Sequence, residues 1–447
     1  LVGPHEGIAV FIQPVQKGFC SAINPTGRAS RRFKLNLSMP RPCIWVADSP
    51  ERLSFVKYLV EKLDYDWITD RLGETHEPPG QTDLIVISDE RYFSWLTEKI
   101  PQWREKGLPV LHVADGICEW RNIFDNPTFD RGDFPAAPLY QPLWADKVAC
   151  LGRCQARILE SLGNAGKTEV VGLPRLDHVQ KRPARKLPPI MKICVTSARN
   201  PAFTPEQRKQ CLRSLHDLNE WFKHVGATLP RAIMPLWRLP EEYAKKIGVH
   251  NTSSDMSGQT ILETLQECDA LVSTASTVLL EGMLLGLPCA ILDYYHTPLY
   301  LDAAWRISAQ DHLHDTLLEI LIPPANKLIF QSYVLQDNLE CRSPALPRMQ
   351  RLIEGMIEIG RQSRSTGKPL SFSNRILVDE ETPYSPPGAS LGALFPQISA
   401  LQESDPAKLQ IQLIQAQRLA SERLGRCLQL EEKLRQQGQN IDGVDHI

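Results

Sequence analysis

The sequence predicts an α/β protein built as two consecutive doubly wound domains with a helical C-terminal extension. Three observations carry that reading. Short apolar runs alternate with longer segments of helical period, the pattern of parallel strands covered by helices on both faces. The alternation stops at a basic, proline-rich stretch, residues 178–189, and then restarts. A chain of 447 residues also exceeds what one hydrophobic core fills.

Residues 1–38 hold Pro, Gly and a basic cluster (Arg28, Arg31, Arg32, Lys34) without periodicity. They read as an extension upstream of Met39, expected to be disordered; a basic arm that touches acidic lipid is the functional alternative. The first domain is expected over 39–178. Residues 43–47 read as a strand. Ser49-Pro50-Glu51 is a helix start: Ser caps free N–H groups, Pro fits the first turn, and an acid suits the positive end. Leu53, Val56, Leu59, Val60 and Leu63 then share one helical face. Residues 84–87 form a fully apolar strand, 91–103 a helix and 109–113 a strand. A strand at 147–151, a helix over 153–162 and a strand over 168–171 complete the series.

Residues 178–189 contain three prolines and four Lys/Arg and no apolar stripe, which places a linker at 179–190. The second domain, 191–363, restarts the alternation. Strands are expected at 191–195, 232–235, 270–272 and 288–292, with helices over 204–224, 260–267 and 277–285. Helices at 312–321 and 349–360 follow. Residues 364–405, rich in Ser, Pro and Gly, read as a flexible connector. Residues 406–438 read as an amphipathic helix whose seam (Leu413, Leu419, Leu424, Leu428, Leu434) suits either packing or a short oligomerising coil.

Composition excludes several classes. Lys plus Arg (50) nearly balances Asp plus Glu (52), which gives no reason to expect a nucleic-acid partner. Eleven cysteines lie at scattered positions, and Cys150 and Cys154 do not form a zinc-ligand spacing with a second pair. No metal or cofactor is expected. Cysteines inside apolar runs, such as Cys194 and Cys289, point to reduced thiols and a cytoplasmic location. The most apolar window, 270–295, carries Glu281 near its centre and Pro288, and reads as a buried α/β unit rather than a membrane span.

The sharpest chemical feature is Ser273-Thr274-Ala275-Ser276-Thr277, between an apolar strand and a helix. Ligands of open α/β sheets bind at the carboxyl ends of strands. A helix start offers unpaired N–H groups and a partial positive charge to a phosphate. Glu281, four positions after Thr277, lies one turn deeper on the same face, where a carboxylate can accept from ribose hydroxyls. A simple capping role for the same Ser and Thr residues is the bland alternative.

Strand, Ser-Thr-x-Ser-Thr, then residues 278–293 resemble the nucleotide-sugar segment of two-Rossmann-domain (GT-B) glycosyltransferases. The resemblance is to the group that builds bacterial capsules and other surface polysaccharides, related to CDP-glycerol transferases and UDP-sugar 2-epimerases. Gly172-Leu173-Pro174-Arg175-Leu176-Asp177 is similar to the stretch that ends the first domain in this family, and Asp115-Gly116-Ile117 sits where relatives often carry His-Gly or a similar turn facing the acceptor. The resemblance covers roughly residues 40–330. It implies two Rossmann-like domains facing a cleft, a nucleotide-sugar donor, and a glycan or lipid-linked acceptor. It implies phosphate contacts from Ser273, Thr274, Ser276 and Thr277, and a ribose contact from Glu281. It is compatible with peripheral association at the inner face of a membrane. One departure stands out: relatives often carry His-Pro after the middle strand of the second domain, where this chain has Met234-Pro235-Leu236-Trp237-Arg238.

Ser197 and Arg199 close the first strand of the second domain and are expected at the same cleft, Arg199 either pairing a phosphate or standing solvated. Asp115 is the first candidate for catalytic base, with Glu119 and His112 as alternates; Gly116 and Arg121 are placed on the acceptor side. Asp64-Tyr65-Asp66, His250, His296 and Trp305-Arg306 also attract attention, each with a structural role as the plainer reading. The expected function is glycosyl transfer in surface-polysaccharide or glycan assembly. A 2-epimerase-like isomerase and a non-catalytic scaffold are the alternatives.

Overall fold

The computed structural model describes residues 41–48, 53–69, 77–88, 94–127, 139–183, 188–229, 232–251 and 260–377, with residues 429 and 433. They belong to one compact unit that begins at Arg41. The extension 1–38, the greater part of the connector 364–405 and nearly all of the helix expected over 406–438 lie outside the described residues.

The first half runs β1 (Cys43–Val46), α1 (Leu53–Lys62), β2 (Asp66–Ile68), β3 (Leu84–Ile87), α2 (Ser94–Glu105), β4 (Val110–Val113), α3 (Trp120–Phe124), β5 (Lys147–Cys150), α4 (Arg153–Ser161) and β6 (Thr168–Val170). Its six strands are parallel, in the order β2-β1-β3-β4-β5-β6. Alternate residues serve opposite faces, as strand geometry requires. Ile44 and Val46 enter the core beneath α1, while Trp45 and Ala47 enter the core beneath α2.

A short 3-10 turn, Pro174–Leu176, leads to the second half. It runs β7 (Ile190–Thr196), α5 (Pro205–His224), β8 (Ala232–Arg238), α6 (Glu241–Ile247), α7 (Ile261–Glu267), β9 (Ala270–Ser273), α8 (Val278–Leu285), β10 (Cys289–Leu292), β11 (Trp305–Ile307) and α9 (His312–Leu321). These strands are also parallel, ordered β11-β10-β9-β7-β8. Ile193 and Val195 pack under α5, and Cys194 packs on the opposite face under α8. The two doubly wound sheets are the architecture that the alternation predicts. Helix starts follow local chemistry: Thr204 accepts from Gln207 N–H at 3.2 Å, and Thr260 with Glu263 forms a reciprocal capping box.

The chain then returns to the first sheet. Helix α10 (Ala325–Asn338) packs on both α4 and α8. Helix α11 (Ala345–Thr366) inserts Met349, Leu352, Ile353, Met356 and Ile357 into the core under Ile44, Val46 and Leu111. Its i, i+3, i+4, i+7, i+8 spacing makes a single apolar stripe. The expected boundary at 363 is therefore corrected: helix α11 packs into the first sheet's core. Residues 364–377 are corrected likewise, from connector to packed segment. The buried Lys147 ammonium donates to Ser373 O and Asn374 O, and Glu169 accepts from the N–H groups of Ile376 and Leu377. Elements β2, α3, α6, α10 and β11 are additions to those expected from sequence.

Candidate functional site at the meeting of the two sheets

In a sheet wound both ways, a crevice opens where the strand order reverses, outside the carboxyl ends of the strands. In the second sheet that point lies between β7 and β9. The loops leaving those strands hold Ser197, Arg199 and the Ser273–Thr277 turn. They are tied together: Ala198 N–H donates to Thr274 Oγ1 at 2.9 Å.

The four hydroxyls separate into two pairs. Ser273 and Thr274 are fully buried; Ser273 Oγ donates to Thr274 O at 2.9 Å, and Thr274 holds the neighbouring loop. These two shape the turn from inside, which corrects the expectation that all four face a phosphate. Ser276 and Thr277 are half-buried at the start of α8. The carbonyls of Ser276 and Thr277 already accept from Leu279 and Leu280, so helical geometry begins here. Among the described residues, the N–H groups of Ala275, Ser276 and Thr277 donate to no backbone carbonyl, the ordinary state of a helix's first turn.

Thr277 joins the two halves. Its Oγ1 accepts from Ile117 N–H at 3.2 Å, which brings the loop after β4 onto the start of α8. Gly116 permits this approach, because a Cβ there would lie 2.6 Å from Thr277 Oγ1. Gln155, buried in α4, holds the loop from below by donating to Gly116 O at 3.0 Å and accepting from Leu151 N–H at 2.7 Å.

Glu281, one turn into α8, is only 3% exposed. Its Oε1 pairs with Arg175 at 2.7 Å, and its Oε2 is buried without a hydrogen-bond partner. A carboxylate oxygen in that state is costly and is an acceptor waiting for a donor. Gly282, beside it, lets α8 lie close on the sheet: an added Cβ would meet Leu271 Cδ2 at 2.7 Å and Cys289 Sγ at 2.9 Å.

On the first half, Asp115 is exposed at the loop after β4, whereas His112 is 2% exposed within β4, its ring edge-on to Tyr140. Burial keeps His112 from an incoming hydroxyl. Arg121 is fully buried and binds Glu119; it donates to Pro201 O at 2.7 Å and stacks 3.6 Å from the Tyr295 ring. Tyr295 in turn donates to Pro201 O at 2.8 Å, and burial raises its phenol well above the ordinary value, so it stays a donor. Arg121 and Glu119, expected to meet an acceptor, instead form a strut between the two halves.

No family model matches the chain. Among curated proteins, a lipid-A-disaccharide synthase of Geobacter sulfurreducens is 24% identical over 250 residues, covering 52% of this chain. The match spans 57% of that protein's own length. Among solved structures, an S. aureus MnaA–UDP co-structure covers 74% of this chain and 100% of its own, at 12% identity and a TM-score of 0.44. The wall teichoic acid polymerase TagF covers 72% and 90%, at 12% identity and a TM-score of 0.44. A UDP-GlcNAc 2-epimerase of Methanocaldococcus jannaschii, solved with UDP-GlcNAc and UDP, covers 71% and 99%, at 12% identity and a TM-score of 0.41.

The remaining candidates are placed as follows. Arg199 is exposed beyond β7. Arg238, at the departure from His-Pro, donates to Thr264 Oγ1 at 2.5 Å and Thr260 O at 3.1 Å, so its guanidinium serves the capping turn of α7. Trp305 is a buried member of β11 that donates to Glu319 at 3.0 Å. His296 is exposed with φ of 55°. Arg175 and Gln155 were missed as site residues. Arg175 stood inside a recognised motif, but its partner lies 106 positions on (281 minus 175) and no local spacing reveals it. Among the described residues, no helix is long and apolar enough to cross a membrane.

Proposed function

We propose that this chain is a glycosyltransferase that takes a sugar from a nucleotide-sugar donor. The observation that carries the reading is the pairing of an anion site with a hydroxyl acceptor on one helix. The first turn of α8 offers N–H groups and the Ser276 and Thr277 hydroxyls, and one turn deeper Glu281 holds a buried, unpartnered carboxylate oxygen. The two are separated by four residues, about 6 Å of helix rise, a span that suits phosphate and ribose.

Leaving-group charge would be received by the helix N–H groups and the hydroxyls, which the fold holds in place before the reaction, with Arg199 adding positive charge. Thr277 suits this because it accepts from Ile117 and keeps its own O–H for an anion. Asp115, exposed on the facing loop, is assigned as the base toward an acceptor hydroxyl. The likeness to a protein named lipid-A-disaccharide synthase supports a glycan or lipid-linked acceptor.

A binding scaffold without catalysis is the competing reading, favoured by the diversion of Arg238 to α7. Two measurements separate them. Thermal shift with UDP, CDP, GDP and CMP species is expected to show stabilisation by at least one. Release of free nucleotide from the corresponding nucleotide-sugar, only when acceptor is present, marks transfer. Stabilisation without release under any acceptor supports the scaffold, and no stabilisation by any nucleotide overturns both readings.

A further inference from the structure

We infer that Arg175 is a positioning residue that clamps Glu281 and thereby makes the site selective for ribonucleotides over deoxyribonucleotides. The inference rests on the donor-site reading above and adds a residue and a selectivity to it.

Glu281 is itself buried, on a helix whose residues Leu279, Leu280, Gly282 and Met283 are buried too. A carboxylate taken out of water needs a counter-charge to offset its desolvation and a fixed partner to stay oriented. Arg175 supplies both through one nitrogen on one oxygen, at 2.7 Å. That contact leaves Oε2, with no partner of its own, as the surface on which a ligand hydroxyl is read.

Arg175 is well placed to act as a clamp because its backbone is held on both sides. Pro174 and Leu176 are buried, and Leu173 and Leu176 enter the same core as α8. Asp177, two positions on, accepts from Ala345 N–H at 2.7 Å and Leu346 N–H at 2.8 Å at the start of α11. The guanidinium therefore reaches Glu281 from a turn fixed to both halves of the molecule. Its side chain is 41% exposed, so it can be replaced without opening the core.

A hydroxyl that donates to an ionised carboxylate is worth roughly tenfold or more in affinity. The test is titration calorimetry of the full chain with UDP, CDP and GDP and with the 2′-deoxy and 3′-deoxy forms of whichever binds. Wild type is expected to prefer the ribonucleotide at least about tenfold over one deoxy form. Glu281→Gln is expected to remove most of that preference. Arg175→Gln is expected to reduce it to below about threefold by weakening the ribonucleotide while leaving the deoxy form unchanged. Arg175→Lys is expected to keep it, because a single N–O contact does not need the planar fork. Arg175→Met replaces the Gln variant if that one fails to fold, as judged by its melting curve. Full preference in the Gln or Met variant, with loss in Glu281→Gln, makes Arg175 merely structural and overturns the inference. Loss of preference in Arg175→Lys overturns it too. Preference retained in Glu281→Gln, or no nucleotide binding by wild type, instead overturns the donor-site reading, and the clamp falls with it.

Discussion

Thr277 serves two directions with one hydroxyl. The oxygen accepts from Ile117 on the facing loop, and the proton stays available for an anion at the start of α8. Thr277→Val keeps the shape and removes both. It leaves the Ile117 N–H without its acceptor, so a loss of about 1–2 kcal/mol is expected in urea unfolding. In titration calorimetry the same variant is expected to bind nucleotide several-fold more weakly, whereas Ser273→Ala, inside the turn, is expected to act mainly on stability. Retained affinity in Thr277→Val would count against a phosphate at this position. Residue chemistry was legible in the sequence wherever it was local. Ser, Thr and Glu at the mouth of a helix advertise an anion site and a deeper acceptor. Arg121 was not legible in this way, because sequence shows a charge but not that Glu119, Pro201 and Tyr295 consume it.

At the scale of the element, α8 depends on how closely it lies on β9 and β10. Gly282→Ala would gain about 1 kcal/mol of helix propensity. The added methyl would also sit 2.7 Å from Leu271 Cδ2 and 2.9 Å from Cys289 Sγ, inside a packed core. Overpacking of that kind costs about 1–3 kcal/mol, so the steric effect wins. The expected result is a lower melting temperature with weaker nucleotide binding, since the helix start moves with the helix. An Ala variant as stable as wild type would show that the sheet contact yields easily. The apolar strand before this helix and the Ser/Thr turn that opens it made the unit readable from sequence. The short edge strand β11 was not, since three residues (Trp-Arg-Ile) carry too little pattern. Helix α10 was missed because it buries only Gln331 and Leu335 fully, so no clean stripe marks it.

At the scale of the molecule, the returning C-terminal segment holds the first half to the rest. Asp83 receives Arg361 at 2.7 Å and Arg364 at 2.8 Å, and also caps Cys43 N–H. Burial by itself would raise its carboxyl, but the Arg361 hydrogen bonds, the Cys43 N–H and the two positive charges outweigh it and hold the group below the usual range. Asp83→Ala removes the acceptor shared by two partly exposed guanidiniums of α11, with an expected cost of about 1–3 kcal/mol in urea unfolding. Because the folded carboxyl titrates lower than the unfolded one, its contribution is present above about pH 4 and fades as pH falls through the folded value. The stability gap between wild type and Asp83→Asn should therefore be full at pH 7 and narrower at pH 3. A gap that does not change with pH would assign the effect to packing. A helix over 349–360 was legible in the sequence, but a helical pattern does not say which sheet it covers. The packing under Ile44, Val46 and Leu111 and the long-range pairing of Asp83 with Arg361 and Arg364 assign it.

The central claim, a nucleotide held across Ser276, Thr277 and Glu281, is tested most directly by a crystal structure with the tightest-binding nucleoside diphosphate. The account predicts phosphate oxygens within hydrogen-bond distance of the Ser276 and Thr277 N–H groups. It also predicts a ribose hydroxyl on Glu281 Oε2, with Arg175 still on Oε1. Nucleotide density elsewhere, or a ribose that leaves Glu281 untouched, would contradict it.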